Sequence, residues 1–260
     1  MLQSLGWAAL GTGFTFLMTA LGAAMVFFFA GEPRPHFQKT LLGFAAGVMT
    51  AASVWSLLLP AIDRAAEGAL PDWLPAAGGM LLGVVFLSAL DALLPHLRRD
   101  RTWQDASWRQ TTLLMTAITL HNVPEGMAVG LAFALAAQGS GATTLAGAMA
   151  LAIGMGLQNF PEGAAISLPL RREGLSVSRS FVYGALSGIV EPIAGVLTVL
   201  VAAKVAGIMP WILSFAAGAM IYVVVEELIP EAHLGEHSHI GTAGVMTGFL
   251  IMMILDVALG

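Results

Sequence analysis

The chain has 260 residues, of which 57% are hydrophobic and only 10% are charged, and its formal net charge is −5. Because soluble domains carry about 25% charged residues, this composition excludes a soluble protein and predicts one compact transmembrane domain covering residues 1–260. The acidic residues are dispersed, several within apolar runs, and give no indication of nucleic-acid binding. The absence of cysteine excludes disulfides, thiolate metal sites and cysteine nucleophiles.

Eight apolar runs are long enough to cross a bilayer, which requires about 20 predominantly apolar residues. They predict an all-α, polytopic membrane protein with eight transmembrane helices. The predicted spans are 4–30, 38–62, 73–95, 111–137, 144–170, 179–203, 209–231 and 239–259. The connections are short, and the longest hydrophilic loop is predicted from Arg98 to Arg109. Residues 1–5 lack the basic region of a signal peptide, so the first run is expected to be a retained helix.

The basic residues are distributed asymmetrically over the loops, and this asymmetry predicts the orientation. The loops of one side contain Arg34, Lys39, Arg98, Arg99, Arg101, Arg109, Arg171, Arg172 and Arg179. The loops of the other side contain only Arg64 and Lys204. We therefore expect a multi-pass protein of the cell (inner) membrane, with the first set of loops in the cytoplasm and both termini on the extracytoplasmic side.

Two short motifs recur between the two ends of the chain. The sequence of Phe44–Met49 in span 2 recurs almost unchanged as Phe215–Met220 in span 7, and a proline follows each copy at nearly the same distance. Ala77–Met80 in span 3 likewise resembles Ala243–Met246 in span 8. Spans 1–3 and 6–8 are therefore predicted to form an inverted repeat around spans 4 and 5, an organisation typical of secondary transporters.

Spans 4 and 5 each contain the sequence Asn-x-Pro-Glu-Gly, which places an amide, a proline and a carboxylate within an apolar run. Ionisable groups at this depth are costly and by default mark an ion or substrate path. On an α-helix, His121 lies one turn before Glu125, and Gln158 lies one turn before Glu162. Two facing helices would form a cage of nitrogen and oxygen ligands from His121, Asn122, Glu125, Gln158, Asn159 and Glu162.

A third carboxylate, Glu191, lies near the middle of predicted span 6. Three carboxylates at one depth repel each other unless they are protonated or neutralised by a cation, and no Lys or Arg lies in these helix centres. A bound divalent metal is the simplest counter-charge. The alternatives are protonated glutamates acting as a proton relay and a structural hydrogen-bond network between helices. Nitrogen and oxygen ligands without sulfur suit Zn²⁺, and also Fe²⁺, Mn²⁺, Co²⁺, Ni²⁺ and Cd²⁺.

The segments His121–Gly126, Gln158–Gly163 and Ser187–Pro192 resemble the signatures of the ZIP (Zrt/Irt-like) divalent metal transporters, with the prokaryotic GufA-like branch the nearest. The resemblance implies a transport bundle of spans 1, 4, 5 and 6 that slides like an elevator against spans 2, 3, 7 and 8, commonly in a homodimer. It implies one metal site at His121, Glu125, Gln158 and Glu162. It also implies a neighbouring second site at Asn122, Glu125, Asn159, Glu162 and Glu191. Some relatives have aspartate where Asn159 stands, so the neutral amide is expected to weaken this second site.

Acidic and histidine residues also cluster at the predicted cytoplasmic ends of spans 3 and 7. This group could receive metal that leaves the pore, and the alternative is a set of solvated helix ends. Its members are Asp91, His96, Glu226, Glu227, Glu231, His233, His237 and His239. At the opposite face, Asp63 and Asp256 are expected to be solvated, although either could attract cations at the entrance.

These observations predict a transporter, not an enzyme, which moves divalent transition metals toward the cytoplasm through a mid-membrane site. Zinc is the expected substrate, with iron, manganese, cobalt and cadmium as further candidates. The expected partners are metal ions, the lipid bilayer and a second copy of the chain. One alternative is an intramembrane metallo-hydrolase with a zinc-bound water, although the sequence lacks a His-Glu-x-x-His motif. A proton-coupled carrier of an organic solute is the other, and it would require a larger cavity.

Overall fold

The computed structural model describes residues 2–28, 35–97, 106–139, 144–172, 174–202, 206–232 and 239–259. Within these ranges the protein consists of helices and short connections without β-strands, which confirms the predicted all-α class. The α-helices are α1 (Leu2–Ala23), α2 (Pro35–Ala52), α3 (Leu59–Ala65), α4 (Trp73–Leu97), α5 (Ala106–Gln138), α6 (Leu145–Arg172), α7 (Val177–Ser187), α8 (Val190–Ala202), α9 (Met209–Val223), α10 (Ile229–Ala232) and α11 (His239–Leu259). Short 3₁₀ segments cover Ala24–Phe27 and Ala206–Ile208, and π-helical turns cover Ser53–Leu58 and Val224–Leu228.

Six helical segments of the described residues are long and apolar enough to cross a membrane. They are Leu2–Phe27, Lys39–Ala65, Trp73–Leu90, Val177–Val201, Met209–Leu228 and His239–Leu259. Helices α5 and α6 lie where spans 4 and 5 are predicted, and they contain 33 and 28 residues. At 1.5 Å per residue, each exceeds the bilayer core of about 30 Å. The eight-span count nevertheless remains a prediction.

The predicted span 179–203 is not one continuous helix, because a turn at Gly188 and Ile189 separates α7 from α8. Proline explains the position of this break. In an unbroken helix the amide of Pro192 would donate to the carbonyl of Gly188, but proline has no N–H and its ring clashes with that carbonyl. The amide of Glu191 donates to the Gly188 carbonyl instead, at 3.1 Å. Glu191 therefore lies in the first turn of α8, next to an interruption of the backbone.

The helices of the predicted spans pack in four pairs, while the inverted repeat itself remains a prediction. The most extensive contacts join α2 to α11, α4 to α9, α1 to α6, and α5 to α8. These pairs correspond to spans 2 and 8, 3 and 7, 1 and 5, and 4 and 6. If span 1 is exchanged with span 6, span 2 with span 7, span 3 with span 8 and span 4 with span 5, the same four pairs result. Two related halves of the chain would give this result. The inversion of the second half remains a prediction.

The two π-helical turns occupy equivalent positions relative to the two copies of the short Phe-to-Met motif. One begins at Ser53, four residues after Met49, and the other begins at Val224, four residues after Met220. Each turn interrupts a long helix whose preceding residues, including both methionines, are buried in the core. Since π-helical turns often occur at functional sites, their shared position indicates a common structural role for the two segments.

Candidate metal site

The two Pro-Glu-Gly segments lie where the backbones of α5 and α6 closely approach those of neighbouring helices. A Cβ atom placed on Gly126 would overlap the backbone of Glu191 in α8, and one placed on Gly163 would overlap the backbone of Thr19 in α1. Glycine is therefore required at both positions, because its missing side chain permits backbone contact between the helices. Each glycine directly follows a glutamate, so the packing holds Glu125 beside α8 and Glu162 beside α1.

The polar residues of these segments are almost completely withdrawn from the surface. Asn122, Gln158 and Asn159 have no exposed surface, and Glu125 and Glu162 are 1% and 6% exposed. Glu191 belongs to the same buried set, at 1% exposed. The structure thus confines six polar side chains to the interior of the bundle formed by α1, α5, α6 and α8.

The three glutamates of this bundle lie close enough to repel one another. Glu125 interacts electrostatically with Glu162 and Glu191, and Glu162 also interacts with Glu191. The sequence has no Lys or Arg in α1 or α8, and the arginines of α5 and α6 lie near the outer turns of these helices. Buried charges without a counter-charge are strongly unfavourable. The site therefore favours a cation.

Five oxygens at this site have no hydrogen-bond partner in the described part of the chain. They are Oδ1 of Asn122, Oε1 and Oε2 of Glu125, Oε1 of Gln158 and Oε2 of Glu162. A buried polar group without a partner costs about 1–3 kcal/mol, and more when it is charged. All five atoms come from α5 and α6, so these two helices present a set of oxygen ligands that a divalent cation could satisfy.

Asn159 and Glu191, by contrast, contact each other. The Nδ2 atom of Asn159 donates to both carboxylate oxygens of Glu191 at 2.8 Å, and the Thr19 hydroxyl donates to Oε1 of Glu191 at 3.4 Å. Sequence reasoning missed Thr19. The available signal was the spacing of Thr12, Thr15 and Thr19, which forms one buried polar face on an otherwise apolar span.

The histidine predicted as a nitrogen ligand lies in α5, one turn before Glu125, and its side chain is outside the described part of the structure. Among the described residues, no three His, Asp or Glu side chains form a group that could hold a metal ion. The described part of the candidate site therefore depends on the amide oxygens of Asn122 and Gln158 as well as on the carboxylates.

The predicted cytoplasmic cluster is described only in part. Glu226 and Glu227 lie in the second π-helical turn, where Glu226 is exposed and Glu227 is half-buried, and His239 is exposed at the start of α11. Glu227 interacts electrostatically with Glu162, which links this turn to the central site. The remaining members lie outside the described residues or have side chains outside them: Asp91, His96, Glu231, His233 and His237.

The expectation that Asp256 is solvated is wrong. Its side chain is 8% exposed and accepts a 2.6 Å hydrogen bond from the Ser56 hydroxyl. Asp256 lies on α11 and Ser56 on the first π-helical turn, and the packing of α2 against α11 brings the two together. Asp63, in contrast, is exposed in α3, as expected of a solvated residue.

Comparison with known proteins identifies the family. A family model described as ZIP Zinc transporter matches residues 101–256. Zinc transporter ZIP11 of Homo sapiens is 38% identical over 97% of this chain and 97% of its own length. Zinc transporter GufA of Myxococcus xanthus is 36% identical over 93% and 94% of the two chains, and zinc transporter ZIPB of Bordetella bronchiseptica is 38% identical over 98% and 82%.

These matches extend the resemblance seen in the three motifs to nearly the whole chain. Combined with the six apolar helical segments, they identify a multi-pass membrane protein. The buried carboxylates and amides of α5, α6 and α8 fall inside the region matched by the family model. The chain belongs to the ZIP zinc transporter family.

Proposed function

We propose that this protein carries Zn²⁺ across the cell membrane toward the cytoplasm, binding it between α5 and α6 on the way. The observation that carries the proposal is the set of five partnerless oxygens on these two helices, in a bundle that buries three glutamate side chains. His121 would add a nitrogen ligand, and the oxygens of Asn122, Glu125, Gln158 and Glu162 would complete the site. Fe²⁺, Mn²⁺, Co²⁺ and Cd²⁺ accept similar ligands and are proposed as further substrates.

The proposed orientation and exit rest on two charge distributions. Most basic loop residues lie on the predicted cytoplasmic side, which supports extracytoplasmic termini. Glu227 lies near that side and interacts with Glu162, so it offers a cation its next carboxylate. We propose that Glu227 and the neighbouring Glu226 and His239 belong to the exit, together with Asp91, His96, Glu231, His233 and His237.

We also propose an elevator-like movement in a homodimer, and the pairing of the helices within the chain supports the division into two groups that such a movement requires. Helices α1, α5, α6 and α8 contain the site, while α2, α4, α9 and α11 form the two other strongly packed pairs. Movement of the first group against the second would carry the bound ion between the two faces. The ZIP family consists of transporters, so the predicted absence of an enzymatic activity is confirmed.

Zinc uptake into proteoliposomes tests the proposal. We expect Glu125→Gln and Glu162→Gln to reduce zinc flux at least tenfold, because each substitution removes one charge and alters a proposed ligand. A loss of only about 1.4 kcal/mol of binding free energy already corresponds to tenfold. Asp63→Gln, on an accessible residue outside the bundle, is the control and should retain flux. Undiminished zinc flux in both glutamate variants would refute the proposal, and zinc-independent flux of an organic solute would favour the solute-carrier alternative.

A further inference from the structure

Asn159 occupies the centre of a chain of three buried side chains. Its Nδ2 atom lies 2.8 Å from both carboxylate oxygens of Glu191 and 3.4 Å from the backbone carbonyl of Thr15. Its Oδ1 atom accepts a hydrogen bond from Nε2 of Gln158 at 2.5 Å. Every polar atom of the Asn159 side chain is therefore engaged by another residue.

When Glu191 is ionised, the chemistry of these groups permits only one orientation of the two amides. An ionised carboxylate can accept hydrogen bonds but cannot donate them. The side-chain nitrogen of Asn159 must therefore face Glu191, because the side-chain oxygen of Asn159 in that position would contact two carboxylate oxygens without a hydrogen between them. This places Oδ1 of Asn159 toward Gln158, which must then turn its own nitrogen toward Asn159. The carbonyl oxygen of Gln158 consequently points away from Asn159, and it is one of the atoms without a partner in the described structure.

These hydrogen bonds divide the polar atoms of the bundle into those that could bind a cation and those that already have a protein partner. The five partnerless oxygens belong to Asn122, Glu125, Gln158 and Glu162. Neither Asn159 nor Glu191 contributes to that set. In Glu191, Oε1 accepts from both Asn159 and Thr19, and Oε2 accepts from Asn159. A second cation bound through these two residues would have to displace these hydrogen bonds.

We infer that Asn159 is a positioning residue rather than a metal ligand. Its NH₂ group donates hydrogen bonds to Glu191, and its oxygen orients the side-chain amide of Gln158. This arrangement leaves a site for a single divalent cation between α5 and α6. The inference deepens the proposed zinc transport and rests on it for the choice of cation. It departs from the two-metal arrangement that the sequence resemblance implies. The neutral amide does more than weaken a second site, because it replaces the second cation as the partner of Glu191.

The inference is tested by counting the Zn²⁺ ions bound to the purified full-length protein in detergent, by equilibrium dialysis followed by metal analysis. We expect one ion per wild-type chain and two per chain of Asn159→Asp. The substitution removes both N–H donors and adds a carboxylate beside Glu191, so that a second cation, supplied in excess over the protein, replaces the lost donors as the partner of Glu191. Two ions on the wild-type chain, or one on a folded Asn159→Asp chain, would overturn the inference.

Ser167→Asp is the control, since it also adds one carboxylate to a buried position of α6, outside the proposed ligands. The Ser167 hydroxyl donates to the backbone carbonyl of Ala164 at 3.5 Å and not to a carboxylate. This variant should therefore still bind one ion, and a count of two would show that added charge alone recruits the second ion, against the inference.

Glu191→Gln provides a second, independent measurement if the Asn159 variant fails to fold. It should retain one Zn²⁺ ion per chain, with an X-ray absorption spectrum of the bound zinc that matches the wild type. A changed set of zinc ligands would identify Glu191 as a ligand and overturn the inference. The proposed transport is tested separately by the flux of the Glu125 and Glu162 variants, so two bound ions with intact glutamate dependence would refute the inference alone.

Discussion

The contact between Gly126 and α8 makes zinc binding sensitive to the addition of one methyl group. In Gly126→Ala, the new Cβ would lie 2.6 Å from the Cα atom of Glu191. Non-bonded carbon atoms prefer about 3.5–4.0 Å, so α5 and α8 must separate by about 1 Å. Neither helix can avoid the contact by turning a side chain, because the opposing atoms belong to the backbone.

This displacement is large compared with the tolerance of a metal site. Metal–ligand distances are defined to within about 0.2 Å, and Gly126 directly follows the proposed ligand Glu125. Overpacking of this kind typically costs about 1–3 kcal/mol, which lowers the free energy of unfolding. We expect Gly126→Ala to weaken zinc binding at least tenfold, which corresponds to about 1.4 kcal/mol.

Competition with a chromogenic chelator measures the zinc Kd, and thermal unfolding in detergent measures stability. Gly13→Ala is the matched control, because a Cβ at Gly13 would meet no atom within 4 Å. Both glycines lie within helices, so the general effect of alanine on helix formation is shared by the two variants. A wild-type Kd in Gly126→Ala would refute the claim that this contact positions Glu125.

Three further outcomes follow from the contacts of the site. Thr19→Val should lower the free energy of unfolding by about 1 kcal/mol, because it removes a hydrogen-bond donor to Glu191. Thr12→Val should lower it less, because the Thr12 hydroxyl donates to the backbone of its own helix, and thermal unfolding of the two variants measures the difference. Glu227→Gln should slow zinc uptake into proteoliposomes, whereas Glu67→Gln, on an exposed residue outside the proposed exit, should leave the rate unchanged, and equal rates in the two variants would contradict a role of Glu227 in the path. Zinc binding should weaken as the pH falls, because protons compete for the carboxylates of the site, and a Kd that is independent of pH would exclude this competition.

The sequence predicts the fold class and the composition of the site because both depend on short-range patterns. Apolar runs indicate the spans, and a four-residue spacing places Gln158 and Glu162 on one helix face. The orientation of Asn159 could not be predicted in this way. It depends on Thr15, which is 144 residues away in the chain, and on Glu191, which is 32 residues away. Only the packing of α1, α6 and α8 brings these groups together.

The break between α7 and α8 shows the same limit at the level of the backbone. Gly188 and Pro192 are both visible in the sequence as residues that disfavour a continuous helix. Many membrane helices nevertheless accommodate proline, and α5 and α6 continue through Pro124 and Pro161. The different outcomes depend on the surrounding contacts, and the Gly188 backbone lies directly against Thr19.

The two π-helical turns differ in their relation to the candidate metal site. Ser56 and Glu227 each lie twelve residues after the first phenylalanine of the repeated motif, and so they occupy equivalent positions relative to it. Ser56 donates to Asp256 on α11, whereas Glu227 interacts electrostatically with Glu162 of the central site. One position thus carries a hydroxyl bonded to α11, and the other carries a carboxylate that acts on the site. A fixed carboxylate attracts a cation that arrives from either direction, so this difference favours a path past Glu227 but does not set the direction of net transport.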